Sequence, residues 1–181
     1  MVHGVGCFGM LLRTGNQGRA VFSVVREGNH NSITSCLDNQ MKLYLIGSLR
    51  NPEIPKIAQA IRGLGIDVFD DWYSPGPETD EKWQEYEAQR GRGYKEALAG
   101  RHAQHVFKFD KCHLDDSQVG VLVLPAGKSG HMELGYLIGY GKPCYVLFDK
   151  EPDRFDIMYQ LATAVFFNLD ELLEELKRWK R

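Results

Sequence analysis

Glu133 stands where a carboxylate can meet a substrate, because a glycine-rich loop precedes it and a helix pattern begins around it. The apolar run 119–124 before that loop is typical of a buried parallel strand, and Pro125 ends it. A helix near 130–140 would carry Glu133 in its first turn, beyond the carboxyl end of the strand. Open α/β sheets bind their ligands at that edge. The loop can admit a sugar or a phosphate through Gly127, Lys128, Ser129 and Gly130.

The same residues also have a purely structural explanation. An acid in the first turn of a helix offsets the positive end of the helix dipole. Gly135 and Gly139 would let the helix pack close to a sheet. The segment alone leaves both interpretations open.

Length and composition favour one domain built on a single core. The chain has 181 residues, of which 43% are hydrophobic and 25% are charged. That is enough for one well-buried core. A net charge of -2 leaves no basic footprint for a nucleic-acid backbone. We therefore expect a small-molecule ligand and no polymeric nucleic acid.

The histidines and cysteines predict neither a metal site nor a disulfide scaffold. The histidines show no metal-binding spacing with carboxylates, so we expect surface or capping roles and would test only His131 for function. The cysteines lack paired C-x-x-C spacing, which favours a reducing, cytoplasmic location. They are Cys7, Cys36, Cys112 and Cys144. No apolar run approaches the ~18 residues that span a bilayer, so no membrane partner is expected.

Strand and helix patterns alternate from Met41 onward. Residues 1–40 are rich in Gly, Ser and Asn, and we expect a poorly ordered N-terminal extension before a folded domain over 41–181. Strands are predicted near 42–46, 66–69, 119–124, 144–148 and 164–167, and helices near 53–63, 81–104, 130–140, 154–162 and 169–180. The alternation predicts an α/β fold, a flavodoxin-like three-layer sandwich with about five parallel strands.

Three polar segments would meet at one edge of such a sheet. The first strand is followed by Gly47, Ser48 and Arg50. Asp110 is expected in a loop ahead of the central strand, and the loop 127–130 follows that strand. Doubly wound topology brings these segments together.

Four short segments carry a family resemblance. They are Leu43-Tyr-Leu-Ile-Gly-Ser-Leu-Arg50, Phe109-Asp110, Gly130-His-Met-Glu-Leu-Gly135 and Gly141-Lys-Pro143. Together they resemble the nucleoside 2-deoxyribosyltransferase family, including its relatives that hydrolyse the N-glycosidic bond of nucleoside 5′-monophosphates. The resemblance spans roughly 41–147.

The resemblance implies a role for each matching residue. Glu133 matches the catalytic glutamate, Asp110 the acid beside the sugar and the leaving base, and Tyr44 the tyrosine at the end of the first strand. Ser48 and Arg50 match the loop that faces the 5′-phosphate in the hydrolases. Taken singly, Tyr44 could equally be a core aromatic, Asp110 a turn former and Arg50 a solvated charge. The resemblance implies no metal or organic cofactor, and a homodimer or larger homo-oligomer whose neighbour helps close the site.

Two carboxylic groups suit the cleavage of a nucleoside on independent chemical grounds. The reaction passes through an oxocarbenium-like state at C1′. One carboxylate can attack or stabilise that carbon while an acid protonates the departing base.

The loop before Glu133 departs from the transferase pattern. The transferases commonly carry an aspartate there for the 5′-hydroxyl of the sugar, and 126–130 contains none. A carboxylate there would repel a phosphate. Ser129, Lys128 and the N–H groups at the helix start could form an anion site instead, although Lys128 could also be a solvated loop charge. This difference favours a 5′-monophosphate substrate, and hydrolysis over base exchange.

Asp71 and Trp72 follow the second strand and are expected to line a base pocket, since an indole face stacks on a nucleobase. Trp72 could equally pack the next helix onto the sheet. The sequence thus predicts an enzyme that hydrolyses an N-glycosidic bond. It leaves open a deoxyribosyltransferase that exchanges bases and a non-catalytic nucleotide-binding sensor module.

Overall fold

A single parallel sheet organises the described part of the chain. The computed structural model describes residues 40–179, so nearly all of the expected N-terminal extension lies outside the described residues. The five strands lie in the order β2-β1-β3-β4-β5, and all neighbouring pairs are parallel. They are β1 Lys42–Ile46, β2 Asp67–Phe69, β3 Val119–Val123, β4 Cys144–Leu147 and β5 Ala164–Phe166.

Helices cover both faces of the sheet. The α-helices are α1 Ile54–Arg62, α2 Thr79–Gln89, α3 Tyr94–Leu98, α4 Arg101–Asp116, α5 Lys128–Gly139 and α6 Leu169–Arg178. Two short 3-10 turns lie at Asp71–Tyr73 and Ile157–Leu161. The predicted helix over 154–162 is therefore only one short turn.

Alternation along β1 assigns each face to its helices. Leu43 and Leu45 join a core formed with α1 and α6. Tyr44 and Ile46 point to the other face and pack in a second core with residues of α4 and α5. Since neighbouring side chains of a strand face opposite ways, one strand anchors both layers. The predicted α/β three-layer fold is confirmed.

Glycines divide the segment that was expected to form one helix over 81–104, so that prediction was wrong. Gly91 has a φ of 67°, in the left-handed region that favours glycine, just after α2 ends. Gly93 and Gly100 are extended residues that precede α3 and α4. The third helix of this segment, α4, begins only at Arg101 and continues past Asp110. Asp110 therefore lies within α4 and not in a loop ahead of β3.

Helix α5 begins at Lys128, two residues before the predicted start. Glu133 consequently lies in the second turn, where the field of the helix dipole is weaker than in the first. A side chain at Gly135 or Gly139 would meet nothing within 4 Å. Neither the dipole argument for Glu133 nor the close-packing argument for Gly135 and Gly139 is therefore supported.

Two other glycines allow α5 to approach the sheet closely. A Cβ at Gly120 would lie 2.6 Å from Leu137 Cδ1, and a Cβ at Gly130 would lie 3.1 Å from Ile46 Cγ2. Gly130 thus sets the start of α5 directly against the end of β1. Within residues 40–179, no helix combines the length and apolar character needed to cross a membrane.

Candidate active site

Tyr44, Asp110 and Glu133 come together on one face of the sheet, although they belong to β1, α4 and α5. Tyr44 is completely buried, and the two acids are partly buried. Burial raises the pKa of Tyr44 well above its ordinary value, and the charges of Glu133 and Asp110 raise it further. These three residues therefore form an interacting group.

The two carboxyl groups both hold their protons more tightly than usual. Burial raises the pKa of Glu133 to about 7, and the nearby charge of Asp110 contributes to the rise. Burial also raises the pKa of Asp110 to about 6. Because Glu133 is affected by the charge of Asp110 and has the higher pKa, the pair holds one proton between about pH 6 and about pH 7, mainly on Glu133. One group can then donate a proton while the other carries charge.

Hydrogen bonds near the C-terminal ends of α4 and α5 hold the two helices together. Tyr136 Oη on α5 donates a hydrogen bond of 2.6 Å to Asp115 Oδ1 on α4. Lys142 Nζ, beyond α5, donates to the carbonyl oxygens of Leu114 and Asp115 at 2.7 and 2.8 Å. These bonds satisfy carbonyl groups in the last turn of α4. The two helices that carry the acids are thus fixed relative to each other.

Aromatic rings to which the sequence analysis gave no role lie beside this group. The rings of Tyr44 and Phe69 lie 5.0 Å apart, and His113 stacks on Phe69 at 3.8 Å. Phe109 lies 5.7 Å from Phe69 and 4.8 Å from His113, and its side chain is 45% exposed. Phe109 and His113 are four residues apart, so on a helix they would lie on the same face. That spacing was the signal from which their contact could have been predicted. A planar ligand would find an accessible aromatic ring beside Asp110.

The loop after β1 is compact and ends in a charged contact. A Cβ at Gly47 would lie 2.4 Å from Ile54 Cδ1, so a side chain there would collide with α1. Ser48 Oγ accepts a hydrogen bond of 3.2 Å from the backbone N–H of Arg50. The guanidinium of Arg50 forms an ion pair with Glu81 in the first turn of α2. Sequence reasoning predicted the loop but missed Glu81.

The start of α5 is open to a ligand. Gly127 is its N-cap, and no side chain caps the helix. Its first N–H groups therefore lack both an intrahelical partner and a capping side chain. Lys128 and Ser129 are exposed there, and Gly130 is buried against Ile46. The structure thus brings the predicted anion-binding segment beside the loop that follows β1.

The indole of Trp72 packs against the end of β1 and the loop that follows it. Its Nε1 donates a 2.7 Å hydrogen bond to the carbonyl oxygen of Leu45. The indole also lies 3.3 Å from the position of a Cβ at Gly47. Asp71 is exposed. The packing interpretation of Trp72 gains support, while base stacking by this residue stays a prediction.

His131 supports the loop that precedes Glu133. Its Nδ1 lies 2.9 Å from the carbonyl oxygen of Gly127, and its Nε2 lies 2.9 Å from Tyr159 Oη. Because a carbonyl only accepts, Nδ1 carries the proton in this contact. His131 therefore braces the loop backbone and does not cap the helix, whose first N–H groups have no side-chain partner. Across 40–179, no group of three or more His, Cys, Asp or Glu side chains is arranged to hold a metal ion.

Comparison with solved structures identifies the class of fold. A 2-deoxyribosyltransferase from the psychrotolerant bacterium Bacillus psychrosaccharolyticus is similar with a TM-score of 0.50 and 20% sequence identity, over 73% of this chain and 90% of that protein. A CMP N-glycosidase from Clostridium botulinum gives a TM-score of 0.45 and 13% identity, over 75% of this chain and 97% of its own. No protein-family model and no curated protein matches the sequence. The chain therefore has the fold of a 2-deoxyribosyltransferase, as the sequence resemblance implied.

Proposed function

We propose that the protein hydrolyses the N-glycosidic bond of a (deoxy)nucleoside 5′-monophosphate and releases the free base. The observation that carries the proposal is the pair of partly buried acids, Glu133 and Asp110, whose pKa values burial raises to about 7 and about 6. Perturbed carboxyl pairs of this kind are typical of sites that handle protons. The shared fold with a 2-deoxyribosyltransferase supports a substrate that contains a nucleoside.

The two acids have complementary roles in the proposed reaction. The reactive form of the pair carries the proton on Asp110 and the charge on Glu133, although the higher pKa of Glu133 makes the reverse arrangement the more populated one. Glu133, as carboxylate, attacks or stabilises C1′ while the C1′–N bond breaks. The electron pair of the C1′–N bond leaves with the base, which takes a proton from Asp110. Water then attacks C1′, displaces the Glu133 carboxylate where it has bonded to that carbon, and gives a proton back to Asp110. The sugar phosphate leaves with the water oxygen on C1′, and the pair regains its single proton.

The open start of α5 supports a phosphate-bearing substrate. The uncapped N–H groups of the helix, Ser129 and the loop with Ser48 lie at one edge of the sheet. Backbone N–H groups and hydroxyls bind phosphate well, and a nearby carboxylate would oppose it. The segment 126–130 contains no acid.

Incubation of the protein with a panel of nucleosides and 5′-monophosphates, followed by chromatography for free base, tests the proposal. We expect base release from one or more monophosphates, and its loss in Glu133→Gln. A matched control is Glu85→Gln, which removes an exposed carboxylate from α2. Unchanged substrates throughout the panel would contradict the proposal.

Base exchange by deoxyribosyl transfer is the second candidate, and the fold shared with a 2-deoxyribosyltransferase favours it. A second free base added to the incubation separates the two reactions. A new nucleoside or nucleotide indicates transfer, whereas a free sugar phosphate indicates hydrolysis. Tight binding of an unaltered nucleotide would instead favour a sensor module.

A further inference from the structure

In the exposed loop after β1, here called the mouth of the site, an ion pair with Glu81 engages Arg50, the arginine expected to face the phosphate. Arg50 Nη2 contacts Glu81 Oε1, with the two side chains 60% and 52% exposed. Arg50 lies in the loop after β1, and Glu81 lies on α2, 31 residues further along the chain. The guanidinium therefore has a carboxylate partner before any ligand arrives.

The loop that carries Arg50 follows β1, and the end of β1 lies against the start of α5. Ser48 Oγ binds the N–H of Arg50 at 3.2 Å, which ties the arginine to the loop after β1. Ile46, at the end of β1, packs on Gly130 in the first turn of α5. A phosphate held between this loop and the helix start would therefore lie within the electrostatic reach of both Arg50 and Glu81.

We propose that Glu81 is a specificity-determining residue that competes with the substrate's 5′-phosphate for Arg50 and so limits the preference for monophosphates. The inference rests on the proposed function and concerns the same site. A phosphate dianion offers the guanidinium more charge and more acceptor oxygens than a carboxylate does. An exposed ion pair is weak, so phosphate can displace Glu81, but the displaced carboxylate still repels it.

Glu81→Gln tests this competition because it removes the charge and keeps the length of the side chain. We expect the ratio of kcat/KM for a 5′-monophosphate to that for its nucleoside to rise about twofold to fivefold, as the loss of one exposed ion pair allows. Binding of inorganic phosphate, measured by calorimetry, should tighten by a similar factor. Both effects should shrink in high salt, which screens exposed charges.

Glu85→Gln is the matched control. Glu85 lies on α2 one turn after Glu81, is exposed, and forms no ion pair among residues 40–179. Its replacement removes the same charge without releasing Arg50, so neither the ratio nor phosphate binding should change. In an Arg50→Ala background, Glu81→Gln should also have no effect.

Three results would overturn the inference. Equal effects of Glu81→Gln and Glu85→Gln would indicate general charge, and a lower monophosphate ratio would mean that Glu81 positions Arg50 for phosphate. An effect that persists in Arg50→Ala would exclude competition for that side chain. If no substrate releases its base, the proposed function fails, while calorimetry with inorganic phosphate still tests Glu81 separately.

Discussion

The interior of the site and its mouth use glutamates in opposite ways. Glu133 is partly buried beside another acid, and burial raises its pKa to about 7. Glu81 is 52% exposed and paired with Arg50. Desolvation controls the first group, whereas solvent screening and a counter-ion control the second. Environment, more than residue type, separates a group suited to chemistry from one that adjusts binding.

The same contrast orders the expected effects of mutation. Charges in the interior act on each other across little solvent, so the loss of one should change the reaction strongly. Charges at the mouth are screened and should change substrate preference only modestly. Each prediction below would sharpen this comparison or break it.

Glu133→Gln should have the largest effect. We expect base release to fall by about 10²–10⁴-fold, because the amide cannot attack or stabilise C1′ as a carboxylate does. The side chain keeps its shape, so thermal unfolding should show an intact domain. Retention of more than a few per cent of wild-type turnover would remove Glu133 from the mechanism.

Asp110→Asn should lower kcat by about 100-fold, because the departing base loses its proton donor. The loss should shrink for a substrate whose base leaves readily without protonation. Rates measured with a strongly basic and a weakly basic leaving group test this dependence. An equal loss for both would indicate that Asp110 positions the substrate and does not act as the acid.

Ser129→Ala should have an intermediate effect and should be selective. A hydrogen bond to a charged group is worth about 1.5–3 kcal/mol, so kcat/KM for the monophosphate should fall at least about tenfold. The nucleoside reaction should change little. Parallel kinetics with a 5′-monophosphate and its nucleoside measure the difference, and an equal loss on both would argue against a phosphate contact.

The smallest effect concerns stability. The ordinary pKa of Glu133 is 4.5 and its folded value is about 7, so the folded protein binds this proton more tightly than the unfolded chain does. The contribution to stability therefore falls as pH rises from about 4.5 to about 7. Glu133→Gln should be more stable than the wild type at pH 8 by about 1–2 kcal/mol, less than full conversion of the shift because solvent screens the group.

Urea unfolding of both proteins at pH 4 and pH 8 measures this difference. At pH 4 the wild-type glutamate is mostly protonated in both states, so the difference in stability between the two proteins should be much smaller than at pH 8. A difference that does not depend on pH would show that Glu133 is not desolvated in the folded protein.

The central strands of the fold could be predicted from the sequence because a strand buried on both faces has a continuous apolar sequence. The strands β1 and β3 lie between two helix layers, so both of their faces must be apolar, and their sequences show continuous apolar runs. The start of α6 carries a similarly local signal, since Asn168 caps it with Oδ1 accepting a 2.9 Å hydrogen bond from the N–H of Glu171.

The site was only partly predictable, for physical reasons. Helix α4 buries only Leu114 among its sixteen residues. Its sequence therefore shows no clean apolar stripe, and Asp110 was expected in a loop. The pair Arg50 and Glu81 depends on the path of the chain between β2 and α2, which local patterns do not encode. The joining of Tyr44, Asp110 and Glu133 followed from family resemblance and sheet topology together.

The pH dependence of base release tests the central claim most directly. If Glu133 and Asp110 act as a pair with one proton, kcat/KM should follow a bell-shaped profile with limbs at about 6 and about 7. In Asp110→Asn, the Glu133 pKa should fall because the neighbouring charge is gone. The residual activity should then rise with pH to a plateau, with its limb below that of the wild-type glutamate. A flat wild-type profile, or the same bell in Asp110→Asn, would contradict the account.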